Sequence, residues 1–285
     1  MRAKSLGYSS ASVDAATCLW AAISPETTST TLAKPGWKKA FIALGWLALW
    51  QLASLWVNQS VILAGPVEAF RALLTMGVTA EFWQTVAFTL LRIAGGFLLA
   101  FCAGVAMAAL AHRCPLAGEI LAPAVTVMKS VPVVCFVILA LVWVGSQNLT
   151  FVIVFVIVFP VLYLQTLEGL ARADAKLLEM ARVFRLSGWK RLRYVYLPTL
   201  LPSLTSGCQL ALGMSWKSGV AAEVIGTPMH SIGQQLYFAK IYLEIDRLFA
   251  WTFVIVVLSA LFERGFLWVL GRIAGRMEGT DDLWL

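Results

Sequence analysis

Histidine occurs only twice, at His112 and His230, and the five cysteines, Cys18, Cys102, Cys114, Cys135 and Cys208, include no CxxC pair. Without HxxxH or HExxH spacing zinc has no ligand set, and thiols in or beside apolar runs behave as small hydrophobes, not as a disulfide framework. A Walker A glycine loop, a GxSxG elbow and a GxGxxG turn are also missing, so nucleotide hydrolysis and acyl transfer have no motif to work from. Charge is scarce: 13% of the 285 residues are Asp, Glu, Lys or Arg against 60% apolar, and the mean hydropathy is +0.82. That balance excludes an ordinary soluble domain and places the chain in a bilayer. The net charge of +7 does not imply nucleic acid, because the basic residues crowd into short loops beside apolar runs, where they record membrane orientation.

Six apolar runs are long enough to read as spans: Phe41 to Val57, Phe82 to Ala111, Leu116 to Val144, Leu149 to Leu167, Thr199 to Ala222 and Phe249 to Leu270. The expected fold is therefore all-α and polytopic. Pro123 and Pro132 should both break the third run into a kinked or re-entrant span. Gly96, Ala100, Gly104 and Ala108 recur every fourth residue on the second and predict a smooth ridge for close helix packing. Residues 1 to 35, rich in Ser, Thr and Ala with a short apolar patch from Ala15 to Ile23, read as a mobile tail, a cleaved signal peptide being the rival. The expected organisation is that tail, a first span with an external connector over 36 to 80, a core over 81 to 272 and a second tail over 273 to 285. Sixteen basic residues fall on the face that carries both ends, and only Arg71, Lys240 and Arg247 on the other. This asymmetry predicts both termini in the cytoplasm of an inner-membrane protein.

The one long polar interval in the second half, Glu168 to Pro198, then faces the cytoplasm. Asp174 to Phe184 (DAKLLEMARVF) reads as a short helix with Leu177, Leu178, Ala181 and Phe184 at helical spacing. Ser187 and Gly188 interrupt it, and Trp189 to Tyr196 reads as a second, basic-aromatic turn ended by Leu197-Pro198. Such a surface calls for a soluble partner or, alternatively, lies on anionic lipid.

The run EMARVFRLSGWKRLRYVYLP, Glu179 to Pro198, resembles the EAA loop of the membrane subunits of binding-protein-dependent ABC importers. Met180 replaces the middle small residue of that pattern, and Arg185 stands where the family usually has glycine, leaving Gly188 to supply the bend. Thr89 to Leu110, Ser130 to Asn148, Phe159 to Leu170 and Ser215 to Gly226 extend the likeness, in order, to the nitrate, sulfonate and taurine branch. The resemblance implies an alternating-access permease that performs no chemistry itself. Its expected partners are a second permease copy, an extracytoplasmic solute-binding protein and a cytoplasmic ATP-binding subunit that carries the ATP and Mg. The implied coupling residues are Leu178, Glu179, Met180, Ala181, Arg182, Phe184, Arg185, Ser187, Gly188, Leu197 and Pro198. Glu179 and Arg182 are expected to meet polar groups on the ATPase, and Leu178, Ala181 and Phe184 to fill apolar ones.

Charges inside spans cost about 2.5 to 3.5 kcal/mol each at mid-depth, so each needs a reason. Arg92, Lys129 and Lys217 read either as a positive potential along an anion path or as snorkelling and interhelical pairs such as Lys217 with Glu223. Lys129, Ser130, Trp143, Tyr163, Gln209, Trp216, Lys217 and Glu223 are the candidate path residues. The expected cargo is a small polar solute: a sulfonate, taurine, nitrate or a similar anion. The alternative is an ion-gradient secondary transporter that uses Glu223 or the lysines for ion coupling.

Overall fold

A computed structural model describes residues 36–57 and 62–278, which form eleven α-helices and one π-helical turn with, among the described residues, no strand. In chain order the helices are α1 (Gly36–Val57), α2 (Pro66–Gly77), α3 (Ala80–Arg113), α4 (Pro115–Ser130), α5 (Val133–Val144), α6 (Ser146–Ala171), α7 (Ala175–Val183), α8 (Gly188–Arg191), α9 (Leu197–Gly226), α10 (Ile232–Ile241) and α11 (Ile245–Glu278). The chain divides at Ala48 and Leu49 into two compact units. The described part of the first, 36–48, is the start of α1, with Trp37 packed edge-on to Phe41; the second, from Leu49 on, holds the remaining helices.

Its centre is a trio of helices, α3, α6 and α9, drawn together by small residues. A Cβ on Gly96 would lie 2.7 Å from the Phe151 carbonyl oxygen of α6, and one on Gly104 3.2 Å from the Tyr163 nitrogen. The four-residue ridge therefore does what its spacing predicts: Ala100 and Ala108 are fully buried, and α6 runs along them. On α9, a Cβ on Gly219 would meet Ile93 Cγ1 at 2.9 Å and Val154 Cγ2 at 3.1 Å. Phe97, fully buried, closes this core against Phe262 and Phe266 of α11.

α3 starts where Thr79 caps it, its hydroxyl accepting the Phe82 N–H, with Glu81 in the first turn and His112 and Arg113 in the last. The third apolar run breaks once, not twice. Pro123 stays inside α4, whereas Val131 is forced extended ahead of Pro132 and the chain turns by 108° into α5. α11 continues to Glu278, so 273–278 is helical. The expected features at 1–35 and 279–285 lie outside the described residues.

Among the described residues, length and apolarity alone mark fewer spans than the six expected. Among the described residues α3, α6 and α11 qualify, with α4 and α5 as a fourth broken one, and 44–57 is a shorter apolar helix. The 30-residue α9 is long enough but too polar. Its polar side chains lie partly on an exposed row, Ser206, Gln209 and Lys217, which points to another protein or water and not to acyl chains.

The connector helix α2 and the short helix α10 meet at one end of α3. Leu73 and Met76 of α2, Phe82 and Val86 of α3, Ile232 and Leu236 of α10, and Trp251 and Val254 of α11 share one apolar cluster. At the opposite end of α3, His112 lies 5.8 Å from the Tyr196 ring beside the polar loop.

Candidate functional site

The loop between α6 and α9 is built by three local devices. Asp174 caps α7 by accepting the Lys176 N–H at 2.9 Å. α7 ends in a Schellman motif: the Leu186 N–H reaches the Ala181 carbonyl at 2.9 Å and the Arg185 N–H the Arg182 carbonyl at 3.0 Å. Arg185 takes the left-handed position of that motif, with φ 48°. The bend expected at Gly188 is therefore at Arg185, the position where the resembled pattern carries glycine. Gly188 instead opens α8, behind the Ser187 cap.

The second turn does not stop at Leu197-Pro198 as expected. α8 passes through the π-turn Leu192–Tyr196 straight into α9, the Leu197 N–H bonding the Leu192 carbonyl. Widening to five-residue spacing makes room for the Pro198 ring, which would otherwise strike the preceding turn. An unbroken helical rod thus runs from Gly188 to Gly226, about 58 Å at 1.5 Å per residue.

The side chains α7 presents differ from those expected. Ala181 is fully buried within the chain and Leu178 half-buried, so Ala181 is unavailable to a partner. The exposed apolar set is Leu177, Met180, Val183 and Phe184, with Glu179 and Arg182 exposed beside it. Val183 was missed because it falls off the stripe formed by Leu177, Leu178, Ala181 and Phe184. Because a left-handed non-glycine residue costs about 1 to 2 kcal/mol, Arg185→Gly should slow hydrogen exchange at the Leu186 amide severalfold and Arg185→Val should speed it, read by exchange mass spectrometry.

The candidate path residues divide. Tyr163 and Trp216 are buried in the three-helix core, the Trp216 indole N–H without a hydrogen-bond partner. Lys129 and Ser130 at the end of α4, Trp143 on α5, and Gln209 and Lys217 on α9 are exposed. Lys217 does not pair with Glu223.

Glu223 is the fully buried hub of a polar node that sequence reasoning did not foresee. Its Oε2 accepts the Thr89 hydroxyl at 2.9 Å and the Gly233 N–H at 3.2 Å, and its Oε1 accepts the Thr150 hydroxyl at 3.5 Å. Thr89 Oγ1 in turn accepts the Ile232 N–H at 2.9 Å. The carboxylate and the threonine thus satisfy the first free donors of α10, where the helix dipole favours negative charge. A Cβ on Gly233 would collide with that of Glu223 and come within 2.6 Å of the Val224 nitrogen, so only glycine lets α10 lie this close. One turn along α3, Arg92 donates to Gln147 Oε1 at 2.8 Å and to the Met229 carbonyl at 3.3 Å, bearing out the interhelical reading of that charge. Between these anchors Thr227 and His230 both take left-handed φ, at 44° and 55°. The turn from α9 to α10 is thereby fastened to α3 and α6.

This arrangement has a rod ending at each face in a short helix, and no cluster of three or more potential metal ligands among the described residues. Three sequence relatives are transport proteins by name. SsuC of Escherichia coli, named for aliphatic sulfonates, is 29% identical over 86% of this chain and 89% of its own. The bicarbonate transport system permease protein CmpB of Synechococcus elongatus is 31% identical over 73% of this chain and 84% of its own. The taurine transport system permease protein TauC of Escherichia coli is 25% identical over 80% and 86%. In structure, an amino acid ABC transporter crystallised with histidines superposes with a TM-score of 0.53 at 16% identity, over 72% of this chain and 97% of that one, a likeness of fold. The family of binding-protein-dependent transport system inner membrane components matches residues 100–275, and with the apolar helices described above this chain belongs to that family: it is a membrane permease subunit.

Proposed function

We propose that the chain forms half of the path of an ATP-driven importer for a small oxyanion, an organosulfonate, bicarbonate or nitrate, and that a second copy supplies the other half. What carries this reading is the exposed row of α9. Ser206, Gln209 and Lys217 are too polar for lipid, and a facing copy would enclose them as a wet seam with a positive charge suited to an anion. The relatives named for sulfonates, taurine and bicarbonate all move anionic or zwitterionic oxyacids. Lys129 and Ser130, exposed at the 108° bend, and exposed Trp143 on α5 are assigned to the same path, while Tyr163, Trp216 and Glu223 are buried in the bundle.

The ATP-binding subunit receives Leu177, Met180, Val183 and Phe184, flanked by Glu179 and Arg182, and supplies the ATP and Mg. Closure of the ATPases pushes α7, and the continuous helix from Gly188 to Gly226 carries that displacement to the Glu223 node and α10 on the far side. There the solute-binding protein docks on the α10 connector and the polar edge of α2. The basic asymmetry supports termini on the cytoplasmic side. Proteoliposomes holding the permease, its ATPase and its binding protein should accumulate labelled taurine or bicarbonate only with internal ATP. Uptake that follows an ion gradient without ATP would overturn this in favour of a secondary transporter.

A further inference from the structure

The connector helix α2 has three faces where a docking element needs two. At about 100° per residue, Ala69, Ala72, Leu73 and Met76 share one side: Ala69 and Ala72 are buried, and Leu73 and Met76 pack into the apolar cluster with Phe82 and Trp251. Glu68, Arg71 and Thr75 share a second and line a crevice of about 410 Å³ completed by Leu243 and Asp246. The third side, Val67, Phe70, Leu74 and Val78, is apolar and 57–88% exposed.

We infer that this third side lies in the lipid of the outer leaflet, so that α2 is an interfacial helix held at headgroup depth. Twelve residues are too few to cross the hydrocarbon, yet four large apolar side chains in one row are too many to leave in water. Membrane lipid is the occupant because the row continues into the membrane surface itself. Past Val78 the next outward apolar residue is Trp83, 62% exposed, followed along the same side of α3 by Leu91 and Leu98. Trp83 fixes its indole by donating to the Gly77 carbonyl at 3.0 Å, across the α2–α3 corner. A tryptophan with its N–H satisfied and its ring outward at a span's end marks the water–lipid boundary. Arg71, on the edge between the apolar and polar sides, is placed to meet a phosphate. Only the polar edge is then left for a docking protein; naming the leaflet rests on the orientation proposed above, while contact with lipid does not.

The test is photocrosslinking of the intact transporter in native membranes, with p-benzoylphenylalanine at Phe70, Leu74 or Thr75 in turn. Phe70 and Leu74 should give adducts carrying the mass of one phospholipid, at least fivefold more abundant than at Thr75. Phe70 is replaced by another aromatic, so folding is retained there even if Leu74 fails. A dominant adduct to a second copy of the chain or to the binding protein would overturn the proposal, and so would the absence of lipid adducts at both positions. Uptake of solute in the unirradiated variants reads out the importer separately, so a lipid adduct without transport distinguishes failure of the transport reading from failure of this one.

Discussion

Glu223→Ala is expected to release α10 from the bundle and to reduce uptake by at least tenfold while the protein still inserts. The substitution leaves the Gly233 N–H and the Thr89 hydroxyl buried without their acceptor. Each orphaned group costs about 1 to 3 kcal/mol, so the first turn of α10 loses on the order of 3 kcal/mol, a hundredfold in its opening equilibrium. Hydrogen exchange at Ile232 to Leu236 reads that number directly. Glu223→Gln keeps one acceptor oxygen and should lose about tenfold in protection, which separates loss of the hydrogen bonds from loss of the side chain's bulk. If the alanine variant protects these amides as well as the parent, the node does not hold the helix. Gly233→Ala reaches the same place sterically, since its Cβ has nowhere to go against Glu223 and Val224.

The second large effect is at the other end of the rod. Met180→Asp combined with Phe184→Asp should abolish capture of the ATP-binding subunit and ATP-dependent uptake, with membrane insertion and melting temperature unchanged. Both side chains are exposed in the free subunit, 45% and 71%, so the charges cost nothing until a partner covers them. Burying an apolar anchor at a docking surface is commonly worth about 2 to 4 kcal/mol, and two replaced by unpaired carboxylates weaken binding by three decades or more. Retention of the ATPase by this variant on affinity purification would refute the assignment of α7 as the coupling helix. Ala181 offers the internal contrast: fully buried in its own chain, a charge there should lower the melting temperature of the isolated subunit before any partner is involved.

Much of this was legible in the residue string. Apolar length marked α3, the broken pair α4 and α5, α6 and α11, the four-residue recurrence of Gly96, Ala100, Gly104 and Ala108 marked the packing ridge, and the run from Glu179 to Pro198 marked the loop. Those features are local, since helical periodicity and chain composition act within a few turns. The errors were local too, and each has a competing cause. Gly188 looked like the bend because glycine tolerates left-handed φ, but the Schellman hydrogen bonds from Leu186 and Arg185 place that conformation three residues earlier. Pro198 looked like a stop because proline lacks an N–H, but a π-turn absorbs it. Pro123 looked like a break, yet α4 accommodates it.

By itself the sequence determined that the chain is helical, that it lives in a membrane, and which polar loop resembles a force-receiving one, because hydropathy and local pattern need no knowledge of neighbours. Only the tertiary structure decided what Glu223 does. Its partners lie 134 residues away at Thr89, 73 at Thr150 and 10 at Gly233, and a buried carboxylate's role is set by the donors that surround it, which no spacing along the chain can specify. The same holds for Ala181 and Met180, one residue apart in the loop: the folded chain buries one and leaves the other exposed.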